Sequence, residues 1–333
     1  MSTTIWHAFP DKTLCNVCGL PWFNDNQPLL WRFPKDVVDR LPTGVANKVP
    51  FPSGGRLLMK SNTTALGLKV TAKTGSNGKG LDIYINGKFN KSVAVAEVDT
   101  EVEMIFYSEF KPEEREIAIY LPYHQEIEIH AIGVDAEATL QPLEPVFQTP
   151  LPIVFYGSSI CQGSGATKPG MTYSAIIGRA LGIDFVNLGF GGAGKAEPKV
   201  VELVNAIPAS CFVFDLGRSY GLQDSAPYKA MLHTIRNNHP DTPIICILPI
   251  ASSREIYTTN PDHDRSTHTR AVAREAVETA LSEGISNLHL VDGLELLTFD
   301  DLDGISPDGL HPSDLGYNTI AQRLIPMLKQ VIG

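Results

Sequence analysis

Ile153-Val154-Phe155-Tyr156-Gly157-Ser158-Ser159-Ile160-Cys161-Gln162-Gly163 begins as an unbroken apolar run and changes character at Gly157. A short apolar run that ends in a turn signal reads as a strand buried on both faces, the kind found in a parallel sheet covered by helices. Beyond it, Ser159 falls where a helix begins, and serine is a favoured residue at helix starts. In open parallel sheets ligands gather outside the carboxyl ends of the strands, which is where this serine sits. A serine there acts as a nucleophile only if a base takes its proton and donors hold the oxyanion that follows. The block lacks the second glycine of a Gly-x-Ser-x-Gly elbow, so that signature does not apply.

Working outward, the pattern after residue 152 alternates strand and helix. Strands are expected at Ile153–Tyr156, Asp184–Leu188, Cys211–Leu216, Pro243–Leu248 and His289–Val291. Helices are expected at Ser174–Leu181, Pro198–Asn205, Tyr228–Asn237, Thr267–Glu283 and Leu315–Ile332. The alternation predicts an α/β/α fold around a parallel sheet.

The preceding part reads differently. Short segments such as Arg56–Lys60, Leu66–Val70, Leu81–Ile85, Val93–Val95, Glu101–Tyr107, Arg115–Tyr120 and Ile127–Ile132 alternate with Gly, Asn and Lys turns. Asn86-Gly87 between Ile85 and Lys88 is a hairpin signal. An antiparallel β-sandwich or jelly roll is expected over residues 1–148, and the second domain over 149–333. The proline-rich stretch Leu140–Pro152 reads as a semi-rigid linker.

Composition narrows the partners. The 333 residues carry 37 acidic against 27 basic side chains, a formal charge of −10, which disfavours non-specific nucleic-acid binding. No apolar run approaches the roughly 18 residues that span a bilayer, and no amphipathic membrane-insertion segment is evident. Met1–His7 shows no basic segment followed by an apolar core, so a cytoplasmic location is expected. The five cysteines are odd in number and scattered, which suits reduced thiols. Cys15 and Cys18 have half of a zinc spacing, but Cys161, Cys211 and Cys246 supply no second half.

Two further stretches carry chemistry. Pro307-Asp308-Gly309-Leu310-His311-Pro312 is a loop with an Asp and a His three residues apart. A histidine there can reach the serine while the aspartate accepts its other ring N–H, fixing the tautomer. Asn187-Leu188-Gly189-Phe190-Gly191-Gly192-Ala193-Gly194 follows the second strand and can bring a backbone N–H close to a reacting oxygen; a purely structural turn is the other reading. Its spacing fits neither phosphate-binding pattern.

With these three stretches on the page, the chain resembles the SGNH (GDSL-type) hydrolases. The likeness is to the subgroup with Gly-Ser-Ser-Ile at the nucleophile and an N-terminal β-sandwich bearing a Gly-x-Asp-Leu-Tyr stretch, here Gly80-Leu81-Asp82-Ile83-Tyr84. It spans Trp31-Arg32-Phe33-Pro34 to the end. The resemblance implies a flavodoxin-like catalytic domain with Ser159 as nucleophile, His311 as general base and Asp308 as its orienting partner. It also implies that Gly192 and Ser159 donate backbone N–H groups to the oxyanion. Ser158 replaces the family's usual Asp. Ser219, in Asp215-Leu216-Gly217-Arg218-Ser219-Tyr220, stands where the family has an oxyanion-hole Asn. A hydroxyl is shorter than an amide, so donation through water, or compensation by Arg218 or Tyr220, is the expectation.

Other residues read as structural. His263 and His268 flank Asp264 and Arg265 in a polar loop, His289 lies in a strand, and Glu197 opens a helix. Trp6, Trp22 and Trp31 read as packing or anchoring residues rather than sugar platforms. A thiol mechanism at Cys161 is not expected, because the resemblance places the nucleophile at Ser159. The implied activity is hydrolysis of small acyl esters, acetyl above all, of a carbohydrate or related metabolite through an acyl-serine, without a metal or organic cofactor. Activity should then fall in acid as His311 takes up a proton. Two alternatives stay open: a weakened hydrolase that binds carbohydrate or another ligand, and an acyltransferase. The partner expected is a small-molecule ester, not nucleic acid or membrane, and a homo-oligomer is left open.

Overall fold

The computed structural model describes residues 4–74, 80–256 and 265–333. The chain divides into two compact units, and the division is not a single cut: residues 39–47 belong with the second unit and Lys168–Gly170 with the first.

The first unit is built from β1 (Thr4–Ala8), β2 (Asn16–Cys18), a short α1 (Phe23–Asn26), β3 (Arg56–Ser61), β4 (Leu66–Ala72) and β5 (Leu81–Ile85). It continues with β6 (Lys88–Val93), β7 (Glu101–Tyr107), β8 (Arg115–Tyr120), β9 (Ile127–Asp135) and β10 (Leu140–Pro142). Its strands form two antiparallel sheets, ordered β1-β9-β4-β7 and β10-β3-β8-β5-β6, with β2 added on β3. Alternate residues of both sheets share one core, including Leu57, Met59, Leu68, Val70, Ile83, Ile119, Ile129 and Ile132. This is the expected sandwich. The Asn86-Gly87 hairpin joins β5 to β6, with Ile85 opposite Lys88. Asp82 is fully buried and accepts the Ser92 hydroxyl at 2.5 Å and the Gly170 N–H at 2.7 Å.

Two expectations need correction here. The strand read at Val93–Val95 lies earlier, at β6, whose largely exposed residues Lys88–Ser92 carry almost no apolar signal. Leu140–Pro142, read as the start of a linker, is instead strand β10 on the sheet edge, with Leu140 opposite Ser61. An edge strand tolerates proline because one of its sides makes no ladder bonds.

The second unit takes in α2 (Thr43–Ala46) and then alternates β11 (Ile153–Gly157), α3 (Ser159–Gln162), α4 (Tyr173–Leu181), β12 (Phe185–Gly189), α5 (Pro198–Asn205) and β13 (Cys211–Asp215). It continues with α6 (Ala226–Asn238), β14 (Ile244–Ile247), α7 (Ser266–Ser282), β15 (Leu288–Val291), α8 (Gly293–Leu296) and α9 (Asp314–Ile332). The five strands are parallel, in the order β12-β11-β13-β14-β15. Every residue of β11, β12 and β13 is buried, which explains their continuous apolar character. α4 packs on α9, while α5, α6 and α7 pack in succession, which places helices in two groups about the parallel sheet. The order reverses between β11 and β13, so a crevice is expected beyond their carboxyl ends. Among the described residues, no helix is long and apolar enough to cross a membrane.

Candidate active site

β11 delivers Gly157 to the end of the sheet opposite Gly189 and Asp215. A side chain cannot be accommodated there, because a Cβ at position 157 would lie 1.8 Å from the Asp215 carbonyl oxygen. The next residue, Ser158, donates its N–H to that same carbonyl at 2.7 Å. Its hydroxyl accepts the Ile160 N–H at 3.1 Å and so caps α3. Ser159 becomes the first residue of α3 and is partly exposed between buried neighbours.

His311 reaches it from the other end of the chain. Nε2 of His311 lies 2.8 Å from Ser159 Oγ, and Nδ1 lies 2.5 Å from Asp308 Oδ2. A carboxylate can only accept, so Nδ1 carries the hydrogen and Nε2 presents its lone pair to the serine. The other oxygen, Asp308 Oδ1, accepts the Leu310 N–H at 2.8 Å, the His311 N–H at 3.0 Å and the Ser306 hydroxyl at 3.0 Å. Burial alone would raise the Asp308 pKa. The hydrogen bonds from the His311 ring and from the His311 and Leu310 N–H groups, with the His311 charge, outweigh it and hold the carboxyl well below its usual range.

The loop that carries both groups is held from outside. Arg254 donates Nε at 3.0 Å and Nη2 at 2.7 Å to the Asp308 carbonyl, and the hydroxyls of Ser252 and Ser253 donate to the Gly309 carbonyl at 2.9 and 3.0 Å. That segment is anchored in turn by Arg270 of α7, which donates to the Pro249 and Ile250 carbonyls and pairs with Glu255. Sequence reasoning missed this clamp. Its partners are 54 to 57 residues apart, and Ser-Ser-Arg has no signature of its own.

The glycine block closes the other side. A Cβ at Gly191 would come 3.1 Å from Ser159 Cβ, and the Gly191 N–H is held by Gln162 Oε1 at 2.7 Å. Gly192 is exposed, and its N–H donates to Ser219 Oγ at 3.2 Å. The structure therefore brings Ser159, His311 and Asp308 into one chain of contacts, with Gly192 and Ser219 as a bonded pair beside it. The expected compensation by Tyr220 is not found: its hydroxyl is committed to the Asp224 carbonyl at 2.6 Å and the Tyr228 N–H at 3.2 Å. Arg218 directs Nη1 to the Ser266 hydroxyl at 3.3 Å.

Below the serine lies Asp215, 5% exposed, whose Oδ2 accepts the Tyr173 hydroxyl at 3.2 Å. Burial pushes its carboxyl up to about 7, against the lowering effect of hydrogen bonds from Tyr173 and Ser158.

The remaining candidates are placed elsewhere. Cys161 is fully buried, and burial pushes the Cys15 and Cys246 thiols up to about 12 and Cys211 higher still. Cys18 is half-buried on β2, and among the described residues no group of three His, Cys, Asp or Glu side chains converges as a metal site. Glu197 takes the Lys195 N–H and the Tyr156 hydroxyl at the start of α5. His289 pairs with Asn287, and His268 with the Gln223 carbonyl. Arg265 directly precedes α7, whereas His263 and Asp264 lie outside the described residues. The tryptophans pack within the first unit: Trp6 over Gly67 and Gly133, Trp22 edge-on to Phe33, and Trp31 bonded to Glu126.

Comparison with known proteins places the chain in a family. The GDSL-like lipase/acylhydrolase family profile matches residues 151–329, and the profile of the N-terminus of SGNH-hydrolase-type esterases matches residues 5–140. Among solved structures, a chain assigned as a GDSL-like lipase from Bacteroides ovatus is 25% identical with a TM-score of 0.84, over 99% of this chain and 98% of that one. A salicylyl-acyltransferase from a tetracycline biosynthetic pathway is 22% identical with a TM-score of 0.80, covering 97% and 95%. A family two carbohydrate esterase from Cellvibrio japonicus is 14% identical with a TM-score of 0.68, covering 100% and 99%. A search of curated protein sequences finds no match.

Proposed function

Because the chain belongs to the GDSL-like lipase/acylhydrolase family and is an ester hydrolase, we propose that it cleaves small acyl esters, acetyl esters above all, of a carbohydrate or related small metabolite. The observation that carries the mechanism is the bridge made by His311, 2.8 Å from Ser159 Oγ and 2.5 Å from Asp308 Oδ2. Ser159 Oγ bonds to the acyl carbon while its proton passes to His311 Nε2, and Asp308 stabilises the imidazolium. His311 returns the proton to the departing alcohol oxygen as the ester bond breaks. Water then repeats the cycle on the acyl-serine and releases the acid. The sugar ester is favoured because a family two carbohydrate esterase shares this fold over its whole length.

The oxyanion falls to the N–H groups of Ser159 and Gly192. The Gly192–Ser219 bond is long at 3.2 Å, so an arriving carbonyl oxygen takes the Gly192 N–H in its place. The Ser219 hydroxyl, released as an acceptor, turns its own hydrogen to the same oxygen. Ser219→Ala should lower kcat about tenfold with KM little changed, since the bond is made only as charge develops. An unchanged kcat would remove Ser219 from the role.

A second substitution tests the placement of the base. Gly165 has φ +95°, and a Cβ there would lie 2.3 Å from the Pro312 carbonyl oxygen and 2.9 Å from His311 Cβ. Gly165→Ala therefore displaces His311 or its neighbour, and kcat should fall about 10- to 100-fold. Circular dichroism on the same sample checks that the fold persists.

Substrate class is tested by acetate release from acetylated oligosaccharides, run with and without a competing alcohol. Acetate as the main product supports hydrolysis. Acyl transfer to the alcohol exceeding acetate release would favour an acyltransferase, and no release from any sugar ester would end the carbohydrate reading.

A further inference from the structure

Asp215 takes no part in the steps above, yet it is joined to the nucleophile by two routes. Its carbonyl accepts the Ser158 N–H at 2.7 Å, and its carboxyl is hydrogen-bonded by the Ser158 hydroxyl. That hydroxyl has one hydrogen. It is spent on Asp215, which leaves a lone pair for the Ile160 N–H at 3.1 Å. The carboxyl thus orients the group that caps α3, and Ser159 is the first residue of α3. Gly217 leaves room for this arrangement, since a Cβ there would lie 3.0 Å from Ser158 Oγ and 3.4 Å from Asp215 Oδ1.

We propose that Asp215 is a positioning residue for Ser159, acting through the Ser158 hydroxyl that caps the nucleophile's helix. The inference rests on Ser159 being the nucleophile.

The surroundings set the form in which it works. Among the described residues, the titratable groups facing the carboxyl are Tyr173 of α4 and Tyr228 of α6, with Cys161 of α3, Cys246 of β14 and Tyr317 of α9 next to them. None is a cation, and burial holds the Tyr173 and Tyr228 phenols well above their ordinary range. A buried carboxylate without a counter-charge is costly, so the neutral acid is favoured up to about pH 7. Above that pH, ionisation puts a negative charge behind Ser159 while a second negative charge must form on the substrate oxygen.

The sign for stability follows from the same shift. The folded-state value lies above the unfolded one, so stability from this group is fully present below about pH 4 and is lost as pH rises to about 7.

The test labels Ser159 with a fluorophosphonate, read by intact mass, across pH 5 to 9.5, and so needs no natural substrate. The wild-type labelling rate should rise from pH 5, pass through a maximum and fall about tenfold by pH 9. Asp215→Asn, which keeps the hydrogen bonds without a titrating proton, should retain the rise and lose the fall. Ser158→Ala should label about tenfold more slowly at the maximum, with the acid limb unmoved. The wild-type Tm should drop by several degrees from pH 5 to 8 relative to Asp215→Asn. A wild-type rate that is flat to pH 9.5, a fall that persists in Asp215→Asn, or an unaltered rate in Ser158→Ala would each overturn the proposal. If Asp215→Asn does not fold, the wild-type profile and Ser158→Ala still decide it. Labelling without any ester turnover would overturn the proposed function and leave the role of Asp215 decided by these readouts. No labelling at any pH would overturn both.

Discussion

Ser159→Ala is expected to lower the turnover of p-nitrophenyl acetate by at least about 10⁴-fold, to the level of the oxyanion site and binding alone. The substitution removes one oxygen atom and leaves the fold alone. Ser158 still caps α3, because its hydroxyl bonds to Ile160 rather than to residue 159. His311 loses its Nε2 partner but keeps Asp308, and Asp308 keeps its three bonds from Ser306, Leu310 and His311. KM should therefore change little while kcat collapses. The wild type should also gain an acyl group on quenching with substrate, seen by intact mass, and the variant should not. Equal, background-level rates in wild type and variant would sink the esterase mechanism.

Asp308→Asn is expected to cost about 10³-fold in kcat through a change of tautomer. An asparagine can keep its carbonyl oxygen at the Oδ1 site, where three donors converge, and this turns its NH₂ toward His311 Nδ1. Facing a donor, Nδ1 must present a lone pair, so the ring hydrogen moves to Nε2 and points at Ser159 Oγ. A histidine in that tautomer cannot accept the serine proton. The figure is set below that for a fully buried triad because the Asp308 side chain is 43% exposed, which lets water help the ring reorient. Since hydrogen bonding holds the Asp308 carboxyl well below its ordinary range, its stabilising effect is lost only as pH falls below the usual carboxylate values. The Asp308 carboxyl is thus ionised throughout, and the ratio of wild-type to variant rates should stay constant from pH 8 to 9. A ratio that titrates within this window, or a kcat within tenfold of wild type, would count against the orienting role.

The catalytic unit was legible because β11, β12 and β13 are buried along their whole length and so leave continuous apolar runs in the sequence. Ser159, His311 and Asp308 were legible because each stands within two residues of a glycine or proline that marks a strand end or loop. What stayed hidden depended on distant partners. β6 and β10 take their stability from pairing to β5 and β3, and neither shows an apolar face of its own. The Arg254 clamp acts on main-chain carbonyls, which no residue pattern at positions 308 or 309 reveals. Ser219 was located by its position, but its bond to Gly192 depends on a turn geometry that the letters do not encode.

The bond between Ser159 and His311 joins residues 152 positions apart. A ribosome adding about 5–20 residues per second makes the serine roughly 10–30 s before the histidine that could activate it. Throughout that interval Ser159 is an ordinary alcohol. The nascent chain can therefore emerge among activated acyl groups without acylating itself, and reactivity begins only when α9 carries the preceding loop onto the sheet.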